Sequence, residues 1–144
     1  MNYKEYVIFR LAGESYGVDI DNVSNIEKHI DITRIPYTKK FVQGVINLRG
    51  NIIPVLNIRE RFGFERKEID TDTRIIILTH SDVTIGLLVD SSSEVVQIDQ
   101  ESIEQAPARD EDSDAYVSEI GKVDERIIML LELDKLIHVD ILAE

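Results

Sequence analysis

At 144 residues, 43% of them hydrophobic, the chain can bury one compact core shared by at most two small modules. A formal net charge of -12, with no run of Lys or Arg interleaved with aromatics, argues against nucleic acid and anionic membranes as partners. Cysteine is absent, which removes disulfides, thiolate catalysis and Cys-ligated metals together and suits a reducing cytosol. The N-terminal stretch MNYKEYVIFRLAGESYG carries Lys4, Glu5 and Arg10, so it lacks the uninterrupted apolar core of a signal peptide. No later apolar run approaches the roughly 20 residues that span a bilayer, so no direct membrane insertion is expected.

Short apolar runs rich in Val and Ile, punctuated by Gly, Asp and Asn, predict strands from end to end. In chain order these are Tyr6–Leu11, Tyr16–Ile20, Val42–Leu48, Ile52–Ile58, Arg74–Thr79, Val83–Val89, Val95–Ile98 and Arg126–Leu133. Helical pattern is brief. Asp21 caps a piece that carries Val23 and Ile26, Thr38 opens a second, and single turns follow at Arg59–Arg61 and Asp134–Leu136. The sum is an all-β chain with a few short helices, built of small barrels.

The sequence also aligns with itself. YVIFRLAGESYGVDIDNVSNI from Tyr6 lies without gaps over IIILTHSDVTIGLLVDSSSEV from Ile75, with Gly17 over Gly86 and Asp21 over Asp90. VQGVINLRGNIIPVLNIRERF from Val42 lies over VSEIGKVDERIIMLLELDKLI from Val117, with Ile52 and Ile53 over Ile127 and Ile128. Two pairs in the same order argue for two related β-modules. The least structured connection is Gln105 to Tyr116, with Pro107 and an acidic cluster, read as a mobile surface loop.

Sites of chemistry are not apparent. His29, His80 and His138 are far apart and belong to no metal or nucleophile motif, which leaves them as surface or turn residues. Asp110, Asp112 and Asp114 imitate the start of a calcium loop, but Ala115 replaces the glycine of its sharp turn and Gly121 its bidentate Glu. The glycines are isolated and form no phosphate cradle, and there is no nucleophile elbow. No catalytic residue, cofactor or metal is expected, and the chain is not read as an enzyme.

Two features point to binding instead. Ile20, Val23 and Ile26 recur every third residue and would share one side of a helical turn, with Glu27 beside them. Such a side either packs down on a barrel or serves an outside partner, and the companion segment of the second half, Asp90 to Val95, which carries Ser91, Ser92 and Ser93 there, hints at the partner. Val42–Leu48 and Ile52–Ile58 would form a hairpin with RGN at its tip, Gly50 taking positive φ and Arg49 at the end. Pro54 cannot donate a ladder hydrogen bond, which places its strand at an edge or beside a bulge. Spacing alone leaves Arg49 a solvated turn cation.

YVIFRLAGESYGVDIDNVSNI, FVQGVINLRGNIIPVLNIRERFG, TIGLLVDSSSEVVQI and GKVDERIIMLLELDKLI, in that order, resemble successive motifs of the CheW family of bacterial chemotaxis coupling proteins. The likeness runs from about Tyr6 to Ile137. It implies a single domain over residues 1–144, made of two intertwined SH3-like five-stranded β-barrels. These are roughly the first and second halves, with strands exchanged near the termini. It implies a non-catalytic adaptor that joins the cytoplasmic tips of methyl-accepting chemotaxis receptors to the regulatory domain of the histidine kinase CheA, or the same scaffold in a non-chemotaxis receptor–kinase pathway. The expected location is cytoplasmic, at membrane receptor arrays through those partners. Carried onto this sequence, the receptor site includes Ile20, Val23, Asn25, Ile26, Glu27 and Arg49. Many members have an acidic residue where this chain has Asn25, which leaves Arg49 either paired with Glu27 or free.

Overall fold

The computed structural model describes residues 2–28, 30–107 and 116–137. Its strands are β1 (Tyr3–Leu11), β2 (Glu14–Asp19), β3 (Val23–Glu27), β4 (Val42–Leu48), β5 (Asn51–Asn57), β6 (Arg74–His80), β7 (Val83–Val89), β8 (Ser91–Asp99), β9 (Glu104–Gln105), β10 (Val117–Val123) and β11 (Arg126–Leu131). Two short helices, α1 (Ile58–Arg61) and α2 (Leu133–Ile137), follow β5 and β11. Four hairpins close on two-residue turns, through the pairs Leu11 and Glu14, Leu48 and Asn51, His80 and Val83, and Val123 and Arg126. In the first three both central residues have positive φ, the turn whose twist matches that of the flanking strands.

The strands form a six-stranded sheet, β8-β1-β2-β11-β10-β9, and a five-stranded sheet, β3-β6-β7-β5-β4. The sixth strand, beyond the five expected in each barrel, is the two-residue β9. Hairpin β1–β2 sits with β10 and β11 of the second half, while β6–β7 sits with β4 and β5 of the first, so the two halves exchange whole hairpins. Both parallel contacts fall in the same register of the internal repeat. Gly17 faces Leu130 between β2 and β11, and Gly86 faces Val55 between β7 and β5. Even the bulges repeat: Ser24 is the extra residue where β3 meets β6, and its image at position 93 is the extra residue where β8 meets β1.

This layering explains the unbroken apolar runs. Val7, Phe9 and Leu11 of β1 point into a core between the sheets, where they meet Ile76, Leu78, Ile85 and Leu87. Tyr6 and Ile8 point the other way, into a second core with Ile98, Ile128 and Leu130. β6 divides likewise, since Ile75 and Ile77 enter a third core inside the five-stranded sheet. Strands buried on both faces need apolar residues at every position rather than every second one.

Two expectations are corrected. Asp21 does not cap a helix over Val23 and Ile26. A 3-10 turn at Ile20–Asn22 is capped by Asp19, whose carboxylate accepts from the Asp21 N–H at 2.9 Å, and the chain then enters β3. The companion segment is likewise the start of β8. Strand pairing decides both: a helical turn would leave the edges of β6 and β1 without their partners. Thr38 opens no helix, and its hydroxyl donates to the Ile35 carbonyl at 3.2 Å to close a turn. Pro54 lies in an internal strand and not at an edge, but beside a bulge as expected, since Gln43 is the extra residue where β4 meets Val55 and Leu56. Val45, opposite it, turns both backbone groups to Thr33 at 2.8 Å, so this is a non-hydrogen-bonded pair. The Pro54 nitrogen therefore points toward β7, whose ladder with β5 begins one residue later at Val55.

The turns expected at Arg59–Arg61 and Asp134–Leu136 are α1 and α2. The calcium-loop imitation at Asp110, Asp112, Asp114 and Ala115 lies outside the described residues, as do His29 and His138. His80 ends β6 and reaches Asp134 at 2.7 Å.

Candidate functional site

Directly opposed residues of an antiparallel pair share a face. Val23 opposes Leu78 and Ile26 opposes Ile76, both of the inter-sheet core; Asn25 and Glu27 oppose Ile77 and Ile75, of the inner core. In a regular strand, residues three apart would point to opposite faces. The bulge at Ser24 restores them to one face, so the apolar alignment of Val23 and Ile26 holds in a strand and not in a helix. Asn25 and Glu27 are on the other face, which corrects the placement of Glu27 beside the apolar row.

Ile20 and Val23 are half-buried against the rim of the inter-sheet core, and Ile26 beyond them is 42% exposed. Ile52, on β5, also points away from the inner core. It alternates with Ile53 and Val55 of the inner core and is 65% exposed. Sequence reading missed it as a site residue, although the pair Ile52–Ile53 must place one isoleucine on each face of β5.

Between β4 and β5 stands Arg49, with φ 53°, followed by Gly50 with φ 86°. The Gly50 N–H donates to the Asn47 side chain at 3.1 Å. Glycine takes this backbone freely, whereas arginine there is strained by about 1 kcal/mol. Arg49 is exposed, and among the described residues it forms no ion pair, with Glu27 or any other acid.

The second half shows the same corner closed. Glu94 is the repeat image of Asn25 and Arg126 that of Asn51, and these two form an ion pair at 2.6 Å. There an acid on the edge strand neutralises a cation at the hairpin base. In the first half asparagines occupy both positions, and Arg49 has no neutralising acid among the described residues. Exposed apolar residues do recur in both halves, since Val95 and Ile127, the images of Ile26 and Ile52, are 48% and 60% exposed. Charge, more than hydrophobicity, separates the two corners.

The fold and this corner define a class: a module of two paired β-sheets with an exposed arginine in a positive-φ hairpin turn that, among the described residues, has no ion pair. The chain belongs to the CheW family, whose CheW-like domain model matches residues 5–140. It is 32% identical over 136 residues to the chemotaxis protein CheW of Helicobacter pylori, an alignment covering 94% of this chain and 82% of that one. The crystal structure of the scaffolding protein TtCheW from Thermoanaerobacter tengcongensis superposes with a TM-score of 0.89 at 41% identity, covering 96% of this chain and 95% of that one. A shorter likeness, 29% identity over 82 residues, joins 57% of this chain to 46% of Protein PilI of Pseudomonas aeruginosa. No helix among the described residues is long and apolar enough to cross a membrane.

Proposed function

We propose that this chain is a non-catalytic adaptor that couples the cytoplasmic tips of chemoreceptors to the regulatory domain of the histidine kinase CheA. The observation that carries the reading is Arg49, exposed in a positive-φ turn and without an ion pair among the described residues, at a corner where the second half has Asp124 in its place and an internal Glu94–Arg126 pair beside it. Backbone strain of this kind is retained where a side chain is needed in one place. The apolar wall of Ile20, Val23 and Ile26 suits one amphipathic helix of a receptor hairpin, and Arg49 suits a carboxylate or backbone oxygen at its rim.

The test is co-sedimentation of the purified chain with a receptor signalling fragment and CheA, together with kinase activity in the mixture. Binding to both partners with a receptor-dependent change in kinase activity is expected; binding to neither sinks the adaptor reading. The likeness to PilI, a relative not named for chemotaxis, favours as second reading the same scaffold in another receptor–kinase pathway. In that case the chain binds receptors and kinase of that pathway and not those of chemotaxis.

A further inference from the structure

Between Ile32 and Arg59 the sequence holds five cations, Arg34, Lys39, Lys40, Arg49 and Arg59, and no acidic residue, in a chain of net charge -12. Two are neutralised in the fold, Lys40 by Glu60 at 3.4 Å and Arg59 by Asp90 at 2.7 Å. Arg34 and Lys39, with Lys28 just before the stretch, form no ion pair among the described residues.

Lys28 and Arg34 flank a concavity of about 480 Å³ whose floor is apolar, formed by Ile30, Ile32 and Ile69. Ile30 and Ile32 are anchored on the inner core of the five-stranded sheet, and Ile69 is 57% exposed. Asp31 is the one acid among the lining residues. The wall is preformed, because Thr33 and Val45 exchange backbone hydrogen bonds at 2.8 Å and hold the loop against β4. Gln43, on the β4 side, accepts from Asn57 at 2.9 Å and Arg66 at 3.1 Å, which fixes its amide. Beyond Arg34 the same loop exposes Ile35 and Tyr37, the latter 80% exposed with φ 63°. Gln43 and Arg49 stand at opposite ends of β4, about 20 Å apart at the rise of a strand, so this concavity is not the hairpin corner.

We propose that the concavity is a second docking site, which takes an acidic segment of a partner protein that also carries apolar side chains. Cations without an ion pair among the described residues, around an isoleucine floor, are complementary to such a segment. A small-molecule site would show several buried polar groups converging on an enclosed space.

The probe is a short fluorescein-labelled peptide with Glu and Leu at amphipathic helical spacing, titrated with the full chain and followed by fluorescence anisotropy. Saturable binding is expected, weakened roughly tenfold by Lys28→Glu with Arg34→Glu, and several-fold by Ile69→Ser. An excess of unlabelled receptor signalling fragment should not displace the peptide, which separates failure of this site from failure of the receptor groove. The proposal is overturned if the peptide does not bind, if the charge-reversed chain binds as well, or if a peptide with Gln for Glu binds equally. Equal or tighter binding to phosphatidylserine vesicles assigns the patch to lipid and also overturns it. Arg34→Gln, a neutral surface change, should give an intermediate affinity with an unchanged melting temperature.

Discussion

The Asp90 carboxylate receives both arms of the Arg59 fork, Nε and Nη2, each at 2.7 Å. Asp90 also accepts the Ala12 N–H at 2.9 Å, while Arg59 Nη1 donates to the Glu65 carbonyl at 2.9 Å. The pair thus pins the β1–β2 turn of one sheet to α1 beside the other, where the chain crosses from β7 to β8. Each side chain is 18% exposed. Asp90→Asn should therefore cost about 2 kcal/mol at neutral pH, or roughly 6 °C in Tm.

The pH dependence of that loss has a definite sign. Burial alone would raise the Asp90 carboxyl, but the hydrogen bonds from Arg59 and the Ala12 N–H outweigh it and hold it below the ordinary carboxylate range. A depressed folded pKa gives stability that is complete above the unfolded value, about 3.9, and is lost as the pH falls through the folded one. The gap in Tm between the chain and Asp90→Asn should be widest near neutrality and narrow below about pH 4. Asp70, held at about 2 by Lys67 first and then by the Asp72 N–H, stays ionised in that window and acts in both proteins alike. A gap that persists undiminished at the lowest pH would show that Asn disturbs packing and not charge.

Gly44, with φ 152°, lies so close to the loop that a Cβ there would stand 2.3 Å from the Thr33 carbonyl oxygen. Gly44→Ala should cost about 3 kcal/mol in urea unfolding, through strain and displacement of the Thr33–Val45 bridge. Gly50→Ala is the matched control. No heavy atom stands within 4 Å of its added Cβ, so only its φ of 86° resists, at about 1 kcal/mol. Equal losses would remove the close approach as the reason for glycine at 44.

What the sequence discloses depends on how each residue is used. Apolar runs such as those of β1 and β6 were legible because both faces are buried, and the repeat was legible because hydrophobic phase survives divergence. β10 escaped recognition as a strand on its own, since Glu119 and Lys122 interrupt its pattern. Its alignment with β4 was the available signal. β3 read as a helix because a bulge imitates the spacing of a helical turn, and no local pattern discloses a bulge. The corner at Arg49 was visible as a motif, but its unpaired state depends on Asn25 and Asn51 lying where the other half has Glu94 and Arg126, and that is a fact of tertiary structure.

The apolar row permits a separation of binding from folding. Val23 is half-buried on the inter-sheet core, whereas Ile26 is 42% exposed. Ile26→Ser should change stability by no more than about 0.5 kcal/mol yet weaken receptor-fragment binding roughly tenfold. Val23→Ser should lower both, costing about 1.5 kcal/mol of stability. Calorimetric titration beside thermal melts distinguishes the two. If Ile26→Ser binds like the parent chain, this face of β3 is not the receptor wall.

Arg49 offers the sharpest separation, because its turn favours a different residue. Asn is preferred at the first central position of a hairpin turn with positive φ at both, so Arg49→Asn should hold Tm level or raise it, by up to about 1 kcal/mol in stability. The same substitution removes the one cation at the corner, and receptor-fragment affinity should fall about tenfold, with a larger fall for Arg49→Glu. Greater stability with weaker binding would mean that arginine is kept at a conformational cost for its partner. Unchanged affinity in both variants would remove Arg49 from the interface and leave the strained turn without that explanation.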